Sequence, residues 1–230
     1  MKTVFYPMFA SLEGRVCLVV GGGSVAERKV RGLLPRGASI RLAAASLTPR
    51  LKGWIADARI HYEGEEYREN LLEKVDLVFA ATNDPILNRQ VAEHARQRGL
   101  WCNMATNPEL GSFIVPSVIE RGPISIAVST TGLSPALARL IRERLEGEFG
   151  PEWVQFAEFM GRLRKLIRSK GLETRENQHL FRDLSRLPFP TWIRENRLEE
   201  AFQTVQDVCD GRVLAEELAQ IWDESWKVSS

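Results

Sequence analysis

Three consecutive glycines, Gly21-Gly22-Gly23, stand between a short apolar run and an amphipathic stretch, and few folds accommodate that arrangement. The preceding run, Arg15-Val-Cys-Leu-Val-Val20, has the length and β-branched content of a buried strand. The following stretch, Val25 to Arg36, sets Val25, Ala26, Val30 and Leu33-Leu34 on one helical face and ends near Pro35-Arg-Gly37. Between them, Gly21-Gly-Gly-Ser-Val-Ala26 fits the pattern G-x-G-x-x-A. In that pattern the first glycine permits the tight turn, the second lets backbone approach a pyrophosphate, and the alanine lets the helix pack close to the strand. The helix N-terminus offers free N–H groups and a positive dipole end to phosphates. A glycine-rich turn without a ligand is the rival explanation. The strand before, the helix after and a second strand beyond favour dinucleotide binding.

The same rhythm continues. Ser39–Ala44, Arg59–Glu63, Val75–Ala81 and Trp101–Ala105 read as strands, and Leu47–Ala58 and Pro85–Arg98 as helices. Strand and helix in alternation predict an α/β fold, a Rossmann-like parallel sheet with helices on both faces, over residues 1–112. Ser112–Pro116 and Ile124–Val128 read as two further strands about a turn at Arg121-Gly-Pro123. With the helix Pro135–Glu148 they form a small α+β segment over residues 113–150. Helices at Glu152–Ser169, Arg175–Leu187, Trp192–Asp207 and Arg212–Trp226, separated by Lys170-Gly171, Pro188-Phe-Pro190 and Asp210-Gly211, predict a helical C-terminal domain over residues 151–230.

A formal net charge of +1 gives no global electrostatic case for nucleic acid. Cys17, Cys102 and Cys209 are odd in number and far apart, as are His61, His94 and His179, so neither a disulfide framework nor a metal site is expected. A reducing, cytoplasmic location follows. Met1 to Ala10 has some leader-like apolar character, but Pro7 interrupts it and Glu13 and Arg15 follow closely, so it reads as an ordered lead-in to the first strand. No segment approaches the roughly 20 apolar residues that span a membrane.

One expected element is missing. An Asp or Glu about 20 residues after the first glycine usually holds the adenosine ribose. Here the second strand ends Ala43-Ala-Ala-Ser46. Ser46 or backbone can serve the ribose hydroxyls, while Arg41 or Arg50 would suit a 2′-phosphate, so local chemistry leaves NAD and NADP open.

Beyond the glycine loop, Val19-Val-Gly-Gly-Gly-Ser-Val-Ala-Glu-Arg-Lys29, Ala80-Ala-Thr-Asn-Asp84 with Asn88, Cys102-Asn103, Phe113-Ile-Val-Pro-Ser117 and Ala127-Val-Ser-Thr-Thr-Gly-Leu-Ser-Pro-Ala-Leu-Ala-Arg139 stand in order. Together they resemble the precorrin-2 dehydrogenase family, which includes the N-terminal module of siroheme synthase. The likeness runs over roughly residues 5–165. It implies oxidation of precorrin-2 to sirohydrochlorin with NAD⁺, in a homodimer whose interface follows the nucleotide-binding domain; many members also insert Fe²⁺. By motif position, Gly21, Gly22, Gly23, Ser24, Val25, Ala45, Ser46 and Thr82 are the implied NAD contacts. Asn103, Ser129, Thr130 and Arg139 are the implied contacts to the acidic tetrapyrrole.

The chain departs from the family at Thr106. The family carries an aspartate there, as a proposed base and a participant in chelation. A threonine hydroxyl is no carboxylate base near neutral pH, yet dehydrogenation releases a proton as well as a hydride. Asp84, Glu109, or a substrate carboxylate or water can take it. Dehydrogenation without strong chelation is therefore expected. The alternatives are a bifunctional dehydrogenase and sirohydrochlorin ferrochelatase, or a non-catalytic tetrapyrrole- or NAD-binding protein. Ser134 reads as a helix N-cap before Pro135. Arg139, Arg142 and Arg144, then Arg162, Arg164, Lys165, Arg168 and Lys170, concentrate positive charge suited to carboxylates, unless Glu143, Glu146 and Glu148 pair with them.

Overall fold

A computed structural model describes residues 5–171 and 174–226; the first residues of the lead-in, 1–4, lie outside it. The chain forms two compact units, one running to Val115 and including Thr131–Leu133, the other holding Pro116–Thr130 and the residues from Ser134 onward.

In the first unit β1 (Val16–Val20), α1 (Ser24–Leu33), β2 (Ser39–Ala43), α2 (Pro49–Ala56), β3 (His61–Gly64), β4 (Leu77–Ala80), α3 (Pro85–Gln97) and β5 (Trp101–Met104) follow in turn. The sheet is wholly parallel, in the order β3-β2-β1-β4-β5. The central strands β1 and β4 are apolar on both faces, as burial under helices on each side requires, whereas the edge strand β3 is polar. Cys17, Val19, Leu42 and Phe79 pack with Ala26, Val30 and Leu33 of α1. Leu18, Val20, Val78 and Ala80 pack with Val91, Ala92 and Ala95 of α3. The register pairs Val20 with Ala43 and Ala80, and Ala80 with Met104. The carboxyl ends of β1, β2, β4 and β5 are therefore flush, and the loops leaving them share one edge. The strand order reverses between β1 and β4, the switch point at which α/β sheets bind ligands. Asp76 fixes that register from the opposite edge: its carboxylate accepts from the Val16 N–H at 2.8 Å and from Arg15 at 2.8 Å.

The expected strand at Ser112–Pro116 is not one. The Ser112 N–H bonds to the Cys102 carbonyl at 2.8 Å, and the segment then runs irregularly to Pro116. In the second unit, β6 (Ser117–Arg121) begins after that proline, which has no N–H for a ladder. It pairs antiparallel with β7 (Ile124–Val128), and Arg121 faces Ile124 across the Gly122-Pro123 turn. Then come α4 (Pro135–Glu148), α5 (Pro151–Ser169), α6 (Thr174–Leu184), α7 (Phe189–Arg194), α8 (Leu198–Val208) and α9 (Ala215–Trp226). The single helix expected over Trp192–Asp207 is two, because Asn196 takes a left-handed φ of 55° between α7 and α8. Pro188-Phe-Pro190, expected as a break, opens α7 with its second proline in the first turn, where no intrahelical N–H is lost. Phe159 is the hub of this unit, its ring 4.8 Å from Phe189 and 5.9 Å from Trp222. Among the described residues, no helix is long and apolar enough to cross a membrane.

Candidate cofactor and active site

The glycine loop leaves β1 at the switch point, and each glycine has its own reason to lack a side chain. Gly21 donates to the Ala43 carbonyl at 2.9 Å with a φ of 120°, and a Cβ there would lie 2.3 Å from the Ala81 oxygen. At Gly22 a Cβ would lie 1.9 Å from the Ser46 carbonyl oxygen, and the Gly22 carbonyl accepts from the Thr48 N–H at 3.0 Å. This second glycine is only a variable position in the sequence pattern; its constraint is the close approach of the loop after β2. Gly23 differs, since a Cβ there would meet nothing within 4 Å. It precedes α1, and no side chain caps the first N–H groups of that helix. Uncapped donors beside an open glycine fit a pyrophosphate. Ser24 is exposed, Val25 half-buried and Ala26 fully buried against the sheet.

Ala45 and Ser46 are exposed at the end of β2, where the adenosine ribose would lie. The two arginines that would suit a 2′-phosphate face carboxylates instead. Arg41 pairs with Glu63 and donates to the Glu73 carbonyl at 3.0 Å, and Arg50 lies 3.6 Å from Glu27.

Asn88 organises the loops after β4 and β5, and it is fully buried. Its Oδ1 accepts from the Thr82 N–H at 3.0 Å and the Thr82 hydroxyl at 2.8 Å, and its Nδ2 donates to the Thr82 carbonyl at 2.9 Å. The same Nδ2 reaches the Thr106 hydroxyl at 3.5 Å. Thr82 is thus held by internal hydrogen bonds, and Thr106 is exposed beside it. Asp84 caps α3, its Oδ1 accepting from the Ile86 and Leu87 N–H groups at 2.8 and 3.2 Å. Glu109 lies exposed on the 3₁₀ turn Pro108–Leu110, and its N–H bonds to Asn107 at 3.2 Å. Asn103, on β5, is 5% exposed. Its Nδ2 donates to the Phe113 carbonyl at 3.0 Å, while its Oδ1 is buried without a partner.

The remaining predicted contacts belong to the second unit. Thr130 accepts from the Ser134 N–H at 3.0 Å and donates to its carbonyl at 3.0 Å. Ser134 caps α4 through the Leu137 N–H at 3.2 Å. Ser129 is exposed. Arg139 is exposed and pairs with Glu143 at 2.7 Å, and Arg142 pairs with Glu146 at 2.6 Å. Arg162 and Lys170 also hold carboxylates, of Glu224 at 3.0 Å and Glu217 at 2.7 Å, so much of the basic concentration is internally compensated.

Burial pushes the Cys17, Cys102 and Cys209 thiols up to about 11. Among the described residues no three His, Cys, Asp or Glu side chains gather as a metal site.

Two families match this chain. One described as putative NAD(P)-binding covers residues 8–117, and the sirohaem biosynthesis protein central family covers 121–148. Siroheme synthase 2 of Cronobacter sakazakii is 41% identical over 162 residues, 70% of this chain and 35% of that protein. Siroheme synthase of Salmonella typhi is 40% identical over 164 residues, 71% of this chain and 36% of that protein. The chain therefore spans about a third of the length of these curated relatives. The solved structure named SirC, precorrin-2 dehydrogenase, superposes with a TM-score of 0.72 at 27% identity, covering 88% of this chain and all of that one.

Proposed function

We propose that the chain belongs to the precorrin-2 dehydrogenase family, which includes the N-terminal module of siroheme synthase, and that it oxidises precorrin-2 to sirohydrochlorin with NAD⁺; its matches to NAD(P)-binding and sirohaem biosynthesis families and its likeness to a precorrin-2 dehydrogenase structure support this. The observation that carries the reading is the loop at Gly21–Gly23, whose third glycine is open and whose helix begins uncapped at the switch point.

Gly23 and the first N–H groups of α1 hold the pyrophosphate, with Ser24 and Val25 beside it. Ala45 and Ser46 serve the adenosine ribose, and Thr82 lines the nicotinamide side. NAD is preferred to NADP because Arg41 and Arg50 are turned to carboxylates. Bound NAD⁺ would supply the hydride acceptor. The proton released with the hydride needs its own acceptor. Asp84 is engaged as the cap of α3, so Glu109, exposed and three residues from Thr106, is the better placed carboxylate. Ser129, Thr130 and Arg139 hydrogen-bond the substrate's carboxylates, and Arg139 exchanges Glu143 for one of them. Asn103 lines the boundary between cofactor and substrate. With a neutral hydroxyl at position 106, metal insertion is weak.

The partner is a second copy of the chain. Leu137, Leu140 and Ile141 form an exposed apolar stripe on α4, at the i, i+3, i+4 spacing of a packing face. The three buried free thiols suit a reducing cytoplasm.

An absorbance assay tests the reading. Purified protein with precorrin-2 and NAD⁺ should yield sirohydrochlorin, adding Fe²⁺ should change little, and Thr106→Asp should raise metal insertion. Glu109→Gln should slow oxidation more than Asp84→Asn. Binding of both ligands without turnover would support a non-catalytic carrier, and rapid iron insertion by the wild type would overturn the weak-chelation half.

A further inference from the structure

A half-buried cation of the first unit faces an aromatic ring rather than an anion. Lys29 lies on the inward side of α1, half-buried, with its ammonium 5.9 Å from the centre of the Phe79 ring. No ion pair holds it among the described residues, and the only charged neighbour that influences it is Arg28, a like charge. A lysine stem leans toward the N-terminus of its helix, which here is toward the phosphate loop and the ligand-binding edge of the sheet.

One acceptor on the strand next to Phe79 has no donor. Phe79 of β4 and Asn103 of β5 are register partners in adjacent strands. Phe79 belongs to the layer that packs on α1, and both lie one residue short of their strand ends. The Asn103 Oδ1 is buried and unpaired, and its amide is not free to flip, because Nδ2 donates to the Phe113 carbonyl at 3.0 Å. An unsatisfied buried amide oxygen is destabilising, and a cation drawn out of water without a partner more so.

We propose that Lys29 and Asn103 form the seat of the nicotinamide carboxamide, Lys29 donating to its oxygen and the Asn103 Oδ1 accepting from its NH₂. The group must bring one acceptor and one donor. A carboxylate of the substrate would satisfy Lys29 but turn lone pairs on the Asn103 oxygen; a primary carboxamide satisfies both. The placement agrees in direction. β5 lies two strand spacings, roughly 9–10 Å, from β1 and the phosphate loop, on the side of the switch point away from β2 and the adenosine end. Burial lowers the Lys29 ammonium to about 8, and protonated or neutral it keeps an N–H to donate. This assignment rests on the cofactor reading above and adds to it the residues that select the ring's substituent and fix its rotation.

The test compares NADH, by fluorescence titration, with ADP-ribose, by calorimetry; the second has the same adenosine and pyrophosphate but no ring. Wild type should bind NADH more tightly. Lys29→Met and Asn103→Ala should each weaken NADH about tenfold, the loss of one hydrogen bond, and leave ADP-ribose unchanged. The reduced 3-acetylpyridine analogue, which keeps the carbonyl but has methyl for NH₂, should bind wild type about tenfold more weakly than NADH and be insensitive to Asn103→Ala. Parallel loss of both ligands in the variants would mean a merely structural role and overturn the seat, as would equal affinity of wild type for NADH and ADP-ribose. Loss of precorrin-2 binding in Lys29→Met with NADH unaffected would assign Lys29 to the acidic substrate and overturn it too. A wild type that binds neither nucleotide would overturn the cofactor reading together with the seat.

Discussion

Adjacent glycines of the phosphate loop should respond oppositely to the same substitution. Gly22→Ala places a methyl 1.9 Å from the Ser46 carbonyl oxygen and 2.9 Å from the Ala44 Cβ. Neither is the end of a flexible side chain, so one loop must move. Overpacking of this kind costs about 1–3 kcal/mol, and displacing the loop after β2 sacrifices the Thr48–Gly22 hydrogen bond, about 1 kcal/mol more. A total of about 2–4 kcal/mol should lower Tm by roughly 4–16 °C for a chain of this size. Gly23→Ala meets no atom within 4 Å, and its φ of −85° and ψ of −171° suit any residue. It should leave the unliganded protein as stable as wild type or slightly more so, by about 0.4–1 kcal/mol from reduced freedom of the unfolded chain. Yet its methyl occupies the pyrophosphate's approach, and NADH affinity should fall about a hundredfold as the charge-assisted bonds to α1 are lost. Thermal melts without ligand and NADH fluorescence titrations measure the two effects separately. A Gly23→Ala protein that melts as early as Gly22→Ala, or that binds NADH like wild type, would refute the assignment of one glycine to packing and the other to the ligand.

Two further predictions concern pH. The buried thiols, near 11 when folded against about 8.5 in an unfolded chain, contribute stability that is complete below about pH 8.5 and is lost as pH rises from there toward 11. Urea titrations should show that decline, and a Cys17→Ala/Cys102→Ala/Cys209→Ala variant should show a flatter one; equal slopes would refute the assignment. The Val16 N–H and then Arg15 hold the Asp76 carboxyl below its ordinary value, so its stabilisation is present above the unfolded carboxyl range near 3.9 and is lost as pH falls through the lower folded value. Asp76→Asn should be less stable than wild type at pH 6, and the difference should shrink as pH falls below the unfolded carboxyl range; a gap that stays constant into acid would count against it.

β1 and β4 are legible because each apolar run ends at a glycine or polar turn, and burial on both faces makes such runs continuous; the polar edge strand β3 is legible from the strand–helix rhythm. Phe113-Ile-Val115 imitates that signature, but its backbone is used at the edge of β5, where Ser112 bonds to Cys102, and only tertiary structure reveals this. The break at Asn196 carries no glycine or proline, so the joined helix was the natural reading. Of the site, Gly21 and Gly23 follow from the pattern. The constraint on Gly22 comes from Ser46, 24 residues away, and no local rule contains it. Lys29 reads as one more charge on an amphipathic helix until its ammonium is seen over the Phe79 ring.

Thr106 gains a physical sense from the same kind of neighbour. Asn88, buried and spent on Thr82, has one amide hydrogen directed to position 106. An aspartate there would receive that hydrogen as a charge-assisted bond, stronger than the neutral one to a hydroxyl. Threonine keeps the acceptor and gives up the charge. In the reading proposed here the two family reactions then separate by what each asks of this position. Oxidation asks that the loops after β4 and β5 stay where the cofactor and ring meet, and Asn88 still joins them. Metal insertion asks for an anion that can draw the cation and take protons from the ring nitrogens, and a hydroxyl offers neither. Substituting Thr106 should thus move metal insertion far more than oxidation, whereas substituting Asn88, which holds both loops, should impair the two together.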